Sequence, residues 1–220
     1  MMEVYFVRHG QTIFNLINRM QGWSDTPLTK QGIEDLRLTG KYLQNTKFDA
    51  IYSSDLKRAM DTAEIIKDEN LKNPPEIKIS SNFREIFFGF FEGSEAAKTW
   101  KMLAKPYGCS TQNEVSAKYS IEFAREVLKR ADPKQWAEDV NDLGVRIEKA
   151  VDQLLLENCM DSRILVVTHG AYIETLLLKY FKSNFGSSRA FPDNGSITIT
   201  NLTNDDFKLL KFNFVPEIAE

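Results

Sequence analysis

Two similar stretches decide the fold, VYFVRHG at residues 4–10 and ILVVTHG at residues 164–170. Each begins with a run of β-branched and aliphatic residues, which is typical of a buried strand, and each ends in a glycine that marks the turn after it. His9 and His169 stand at these turns and are the only histidines among the 220 residues. Open α/β sheets bind ligands at the carboxyl ends of their strands. The two imidazoles are therefore expected to form an active site if the strand ends meet.

Strands alternate with helices along the rest of the chain. This alternation favours an α/β fold, a three-layer sandwich in which helices flank a mostly parallel central sheet. The residues Asn204, Asp205 and Asp206 between the last two strands suggest a hairpin and an antiparallel edge. The predicted strands span residues 4–7, 50–53, 77–79, 164–168, 196–200 and 207–212, and the predicted helices span 29–43, 54 or 55 to 66, 143–155 and 171–180.

The segment from residue 94 to about 141 carries no strand signal. We expect it to be a helical insertion near the carboxyl ends of the strands, within a single domain that covers residues 1–220. It could form a lid or one wall of the pocket, or it could be a long connection that only covers the sheet. Its predicted helices span residues 98–103, 116–130 and 133–140.

The composition argues against several classes of partner. A net charge of −3 gives no general electrostatic reason to bind nucleic acid or a membrane surface, so an anionic substrate must be held by a few local cations. Cys109 and Cys159 have no metal-ligand spacing and indicate reduced thiols in a cytoplasmic protein. No apolar segment is long enough to span a bilayer, and secretion is not expected.

Residues 8–12 (RHGQT), followed by Asn15, gather phosphate-binding groups at a strand-to-helix turn. The Arg8 guanidinium suits phosphate oxygens, and backbone N–H groups after Gly10 can point at an anion. His9 can attack phosphorus only when neutral, and a neighbouring Arg8 disfavours its protonation. Its Nδ1–H then needs an acceptor, such as a backbone carbonyl. The alternative is a buried histidine beside an arginine that pairs with a carboxylate.

Together with these residues, further segments resemble the histidine phosphatase superfamily, which includes the cofactor-dependent phosphoglycerate mutases. The similarity lies in the Arg8-His9-Gly10 start and in later motifs that follow in the order typical of that family. Residues 94–140 are essentially unmatched. The later motifs are QGWSDTPLT at 21–29, SSDLKRAMDTA at 53–63, REIFFGFFEG at 84–93 and THG at 168–170.

The resemblance implies a role for each matching residue. His9 would be the nucleophile and form a phosphohistidine, and Glu85 would protonate the leaving oxygen and then deprotonate the attacking water. Arg8, Arg58 and His169 would surround the phosphoryl group. Taken alone, an arginine such as Arg58 on a helix is more often solvated or ion-paired. Further substrate contacts are expected from Thr12, Asn15, Gln21, Gly22 and Gly170, with no metal and no cofactor.

Hydrolysis of a small phosphorylated metabolite is the favoured activity. No two arginines are adjacent in this chain, whereas the mutases that it resembles bind substrate with an adjacent pair. Gln21 also resembles the phosphatase branch. The aromatic residues between Phe83 and Phe91 are expected to favour apolar phosphomonoesters. A 2,3-bisphosphoglycerate-dependent phosphoglycerate mutase remains the main alternative, and a catalytically inactive phosphate-ligand sensor or interaction module is the alternative from another class.

Overall fold

One six-stranded sheet forms the centre of this computed structural model, which describes residues 1–181, 191–203 and 207–217. All six predicted strands are present, with ends that differ from the prediction by at most two residues. The predicted turn at residues 204–206 lies outside the described residues. The strands are β1 (Met2–Arg8), β2 (Ala50–Ser53), β3 (Ile77–Ile79), β4 (Arg163–Thr168), β5 (Ile197–Leu202) and β6 (Phe207–Phe214).

The strand order is β3-β2-β4-β1-β5-β6. The first four strands in this order are parallel to one another, while β5 runs antiparallel to β1 and β6 antiparallel to β5. The mostly parallel sheet with an antiparallel edge is therefore confirmed. The two strands that carry the histidines, β1 and β4, are direct neighbours in the middle of the sheet.

Eight α-helices occur in the described part of the chain. Among them, none is both long enough and apolar enough to cross a membrane. Three short 3₁₀ turns lie at Ser81–Phe83, Gly89–Phe91 and Lys105–Tyr107. The helices are α1 (Ile13–Leu16), α2 (Lys30–Leu43), α3 (Lys57–Asp68), α4 (Ala96–Ala104), α5 (Gln112–Lys118), α6 (Ile121–Ala131), α7 (Val140–Glu157) and α8 (Gly170–Tyr180).

Alternating side chains of the central strands build a core on each face of the sheet. Val7 and Val167 pack with residues of α2 and α3, such as Leu43 and Ala63. Phe6, one position before Val7, points to the other face and packs with α7 and α8. This period of two along buried strands produces the predicted three layers.

The insertion has a small core of its own, in which Trp100, Leu103 and Leu128 pack against Met20 and Phe91. Its helices differ from the prediction in two places. The predicted helix 116–130 is wrong because two helices occupy that region, α5 ending at Lys118 and α6 beginning after a new cap. The Oγ of Ser120 caps α6 by accepting a hydrogen bond from the N–H of Phe123 at 3.1 Å.

The predicted helix over 133–140 is also wrong, since residues 132–139 are a turn and extended chain. The buried Asp132 carboxylate accepts hydrogen bonds from the N–H groups of Lys134, Trp136 and Ala137. These N–H groups therefore bind a side chain and not the carbonyls that a helix would supply. Gln135 takes a positive φ of 54°, which also interrupts a helix.

The predicted cap of α3 at Ser54 or Asp55 needs a smaller correction. The helix begins at Lys57 after Leu56, and no side chain caps it. The Asp55 carboxylate instead forms a two-point ion pair with Arg84, at 2.7 and 2.6 Å. A bidentate pair with arginine is a strong and geometrically specific interaction for a carboxylate.

Candidate active site

The pairing of β1 with β4 brings the two histidines together. Arg8 lies opposite Thr168 in this parallel pair, so His9 and His169 leave the sheet side by side. Their ring centroids are 5.2 Å apart and their planes are inclined by 59°. Both side chains are buried. The expected meeting of the two imidazoles is confirmed.

The His9 ring is held in one protonation state. Its Nδ1 lies 2.8 Å from the carbonyl oxygen of Gly10, which can only accept, so Nδ1 carries the proton and Nε2 keeps a lone pair. Burial lowers the pKa of His9 well below its ordinary value, and the charges of Arg58 and Arg8 lower this pKa further. The free protein therefore presents a neutral imidazole, as the sequence predicts.

His169 is equally buried but has no fixed partner. Neither ring nitrogen forms a hydrogen bond within the described part of the chain. Burial lowers the pKa of His169 well below its ordinary value, with a further contribution from Arg58. A buried imidazole without partners is costly, and it is suited to binding a ligand that supplies the missing hydrogen bond.

Arg58 reaches the site from the first turn of α3 and is almost completely buried. Its Nη2 donates to the carbonyl of Gly22 at 2.7 Å, and its Nη1 donates to Ser24 and Asp25 at 2.9 and 3.1 Å. A Cβ atom at Gly22 would collide with the carbonyl oxygen of Ile86. Gly22 thus positions Arg58 and does not line the cavity described below.

One carboxylate, Glu92, organises the loop that holds Arg58. It accepts hydrogen bonds from the N–H groups of Gly22, Trp23 and Ser24 at 3.2, 3.0 and 2.9 Å, and from Phe88 at 3.0 Å. The sequence shows Glu92 only as part of a motif, and nothing in its spacing reveals the loop partners, which lie 68 to 70 residues away. Sequence reasoning missed its role as a loop clamp.

Arg8 is fixed by the segment that precedes β5. Its Nη1 donates to the carbonyl of Pro192 at 2.7 Å, and its guanidinium lies 4.9 Å from the centroid of the Phe191 ring. Gly170 lies beside the same ring, and a Cβ there would collide with Phe191. Burial lowers the pKa of Arg8 to about 10, which leaves it charged at neutral pH, and the charge of Glu85 opposes this decrease.

The carboxylate of Glu85 is anchored at the beginning of α8. Its Oε1 accepts from the N–H groups of Ile86 and Tyr172, both at 2.9 Å, and its Oε2 accepts from Ala171 at 3.0 Å. N–H groups at the start of a helix have no partner within it and attract anions. Glu85 thus lies at the start of the helix that follows His169, although the two residues are far apart in sequence.

Asn15 and Gln21 face the cavity, and Thr12 fixes them from behind. The Oγ1 of Thr12 caps α1 by accepting from the N–H of Asn15, and it donates to the Oε1 of Gln21 at 2.6 Å. The Oδ1 of Asn15 accepts from the N–H of Thr12 and from the Nδ2 of Asn194. With its oxygen engaged, Asn15 offers its amide N–H groups to a ligand. Asn194 has no predicted role and also donates to the carbonyl of His9 at 2.9 Å.

Part of this site lines a cavity of about 350 Å³, whereas Arg58, His169, Thr12, Gly22 and Gly170 lie outside its lining. The insertion forms one of its walls through α4 and α6, which supports the pocket-wall interpretation over a simple covering role. Within the described ranges, no group of three or more His, Cys, Asp or Glu side chains is placed to hold a metal ion. The predicted residues that line the cavity are Arg8, His9, Asn15, Gln21 and Glu85, and the unpredicted ones include Met20, Phe88, Trp100, Arg125, Leu128, Glu174 and Phe191.

The chain as a whole is similar to a known class of proteins. A model of the histidine phosphatase superfamily (branch 1) matches residues 4–215, which is nearly the whole chain. The protein belongs to this superfamily. Its members include both mutases and phosphatases, and similar proteins of both kinds are found.

Among its relatives, a 2,3-bisphosphoglycerate-dependent phosphoglycerate mutase from Methanococcus vannielii is 28% identical over 198 residues, covering 84% of this chain and 83% of that protein. The crystal structure of a phosphoglycerate mutase from Bacillus anthracis superposes with a TM-score of 0.89 at 30% identity, covering 97% of this chain and 93% of that chain. A mycobacterial glucosyl-3-phosphoglycerate phosphatase shares the fold, with a TM-score of 0.70 at 23% identity and coverage of 96% and 98%.

Replacing Glu92 tests the loop clamp. We expect Glu92→Ala to lower the free energy of unfolding by about 3 kcal/mol, because four backbone N–H groups lose a charged acceptor. Urea unfolding followed by circular dichroism measures the change. Glu126→Ala is the matched control, since Glu126 forms only an exposed ion pair with Arg130 and its loss costs less than about 0.5 kcal/mol. Equal midpoints for the two variants would show that Glu92 does not hold the loop.

Proposed function

We propose that this protein is a phosphomonoesterase that acts through a phosphohistidine on His9. The observation that carries the proposal is the 2.8 Å contact between Nδ1 of His9 and the carbonyl oxygen of Gly10, which directs the ring proton to Nδ1 and leaves Nε2 its lone pair near Arg8 and the buried Arg58. A neutral imidazole is a nucleophile, and Arg8 and Arg58 supply positive charge where the phosphoryl group carries negative charge. The unpartnered nitrogens of His169 offer a further hydrogen bond to the same group.

In the first step, Nε2 of His9 attacks phosphorus while the bond from phosphorus to the ester oxygen breaks. Glu85 relays a proton from the substrate's phosphate monoanion to that oxygen, which leaves as an alcohol. In the second step, the Glu85 carboxylate takes a proton from water, the water oxygen binds phosphorus, and the bond from Nε2 to phosphorus breaks. Phosphate and neutral His9 are released, and the Glu85 carboxyl group passes its proton to the departing phosphate. Arg8 and the buried Arg58 stabilise the charge in both steps.

The cavity supports a small and largely apolar ester as substrate. Met20, Phe88, Trp100 and Leu128 line it opposite the polar groups of the site. Apolar walls of this kind bury the carbon skeleton of a ligand, while a few polar groups fix its orientation. The partner is thus a small phosphorylated metabolite.

Both cysteines are free, which agrees with a cytoplasmic location.

A phosphoglycerate mutase is the second candidate, because the relative from Methanococcus vannielii and the superposed structure from Bacillus anthracis are both named as mutases. A mutase must also bind the carboxylate of a phosphoglycerate. Of the cations that line the cavity beside Arg8, Arg125 is paired with Glu174 and Arg19 is exposed. Neither is a buried, unpaired cation for a second anionic group, and this favours the phosphatase. A silent phosphate sensor would not need the nucleophile and acid that are both present.

We expect His9→Ala to abolish both turnover of 4-nitrophenyl phosphate and formation of an acid-labile phosphoenzyme, since the two-step path requires Nε2. The matched variant His169→Asn keeps the nucleophile, so it should still be labelled but turn over roughly 10²- to 10³-fold more slowly. Rapid quench with radiolabelled substrate measures both. Label on His9→Ala would refute the assignment of the nucleophile, and a wild-type protein as inert as His9→Ala, with phosphate binding intact, would support the sensor.

The two enzymatic candidates are separated with 3-phosphoglycerate, supplied with and without 2,3-bisphosphoglycerate. We expect slow release of inorganic phosphate and no accumulation of 2-phosphoglycerate, because Arg125 is paired with Glu174 and Arg19 is exposed. Phosphorus NMR follows both products in one sample. Exchange of the two isomers without net phosphate release would establish the mutase instead.

A further inference from the structure

The cavity contains a buried ion pair that the two chemical steps do not use. Arg125 of α6 and Glu174 of α8 are 5% and 4% exposed, and Nη2 of Arg125 lies 2.5 Å from Oε2 of Glu174. The Nη1 of Arg125 also donates to the Oγ1 of Thr175 at 2.8 Å. Both members of the pair line the same cavity as His9 and Glu85. A buried pair of this kind contributes little net stability, which raises the question of what it does.

The ion pair lies near the part of the cavity where the leaving group of the ester would bind. Ala171, whose N–H binds Glu85, also lines the cavity, and Glu174 follows it by three residues on α8. Side chains three residues apart on a helix are neighbours, at about 5–6 Å. The pair therefore lies about one helical turn beyond Glu85. Because Glu85 protonates the leaving oxygen, the group attached to that oxygen extends toward the pair.

Both carboxylates in the leaving-group part of the cavity are paired with arginines. Glu174 compensates Arg125, and Glu138, which also lines the cavity, is bound through both oxygens by Arg146. Arg19 is exposed and is screened by solvent. A leaving group with its own charge would lose water here without meeting a buried, unpaired opposite charge, which is unfavourable.

We propose that the Arg125–Glu174 pair is a specificity determinant that selects phosphomonoesters of uncharged, largely apolar alcohols and phenols. The pair acts by cancellation, since each member removes the attraction that the other would exert on a charged leaving group. Trp100 and Leu128 contact the carbon skeleton of the same group. This inference rests on the proposed phosphatase function, and it deepens that function by naming the substrate class.

Three phenyl phosphates test the proposal. They carry a 2-carbamoylethyl, a 2-carboxyethyl or a 2-aminoethyl group at the para position, so their leaving groups have similar size and the two-carbon spacer separates the charge from the phenol oxygen. For the wild type, we expect kcat/KM for the carbamoyl ester to exceed that of both charged esters at least about tenfold.

Single substitutions should expose one charge of the pair at a time. Glu174→Gln leaves Arg125 uncompensated and should shift the preference toward the carboxylate ester by at least about tenfold, and Arg125→Gln should shift it equally toward the ammonium ester. Glu126→Gln, a partly exposed neighbour on α6 that does not line the cavity, is the matched control and should leave all three ratios unchanged.

The outcomes distinguish a failure of the specificity proposal from a failure of the proposed phosphatase function. Equal wild-type rates for the three esters, or a wild-type preference for a charged one, would overturn the specificity proposal and leave the phosphatase intact. Folded variants whose ratios match the wild type would also overturn it. If a variant does not fold, as judged by thermal unfolding, the wild-type ratios decide alone. A wild type as inactive as His9→Ala on all three esters would refute both the proposed function and this inference.

Discussion

Parallel pairing of β1 with β4 is the interaction on which the site depends, because it places Arg8 opposite Thr168. The two histidines, which are distant in sequence, thereby meet at the carboxyl ends of neighbouring central strands. Side chains of a strand alternate between its faces. A shift of one residue in the pairing would therefore send one imidazole to the opposite face of the sheet. It would also put a neighbouring residue in the buried position that Val7 occupies. The hydrophobic cores on both faces fix the pairing, and the pairing fixes the chemistry.

Carboxylates that bind backbone N–H groups form the second level of organisation. Glu92 gathers the loop that holds Arg58, Glu85 occupies the start of α8, and Asp132 shapes the turn before α7. Charge-assisted hydrogen bonds to an ionised acceptor are stronger than neutral ones. Through Glu92 they hold the loop that positions Arg58 near neutral imidazoles, at a place where burial disfavours every charge. A bound phosphate would compensate this concentration of positive charge.

Much of the fold was predictable because it depends on local patterns. Apolar runs located all six strands, and Thr29 caps α2 as predicted. The histidine pair followed from two such runs. What the sequence did not reveal depends on contacts between distant side chains and backbone. The turn after Asp132 replaces a helix because a carboxylate captures its N–H groups, and the Arg125–Glu174 pair joins helices 49 residues apart. Neither of these interactions produces a periodic pattern in the sequence.

The central claim is that His9 is a neutral nucleophile with its proton on Nδ1 and a lone pair on Nε2. ¹⁵N NMR of histidine-labelled protein tests it most directly, because the chain has only two histidines and His169→Asn assigns the signals. Since burial and two arginines lower the pKa of His9, the account predicts one protonated nitrogen, Nδ1, and one unprotonated nitrogen, Nε2, even at about pH 6. An imidazolium at that pH, or a neutral ring with its proton on Nε2, would contradict it.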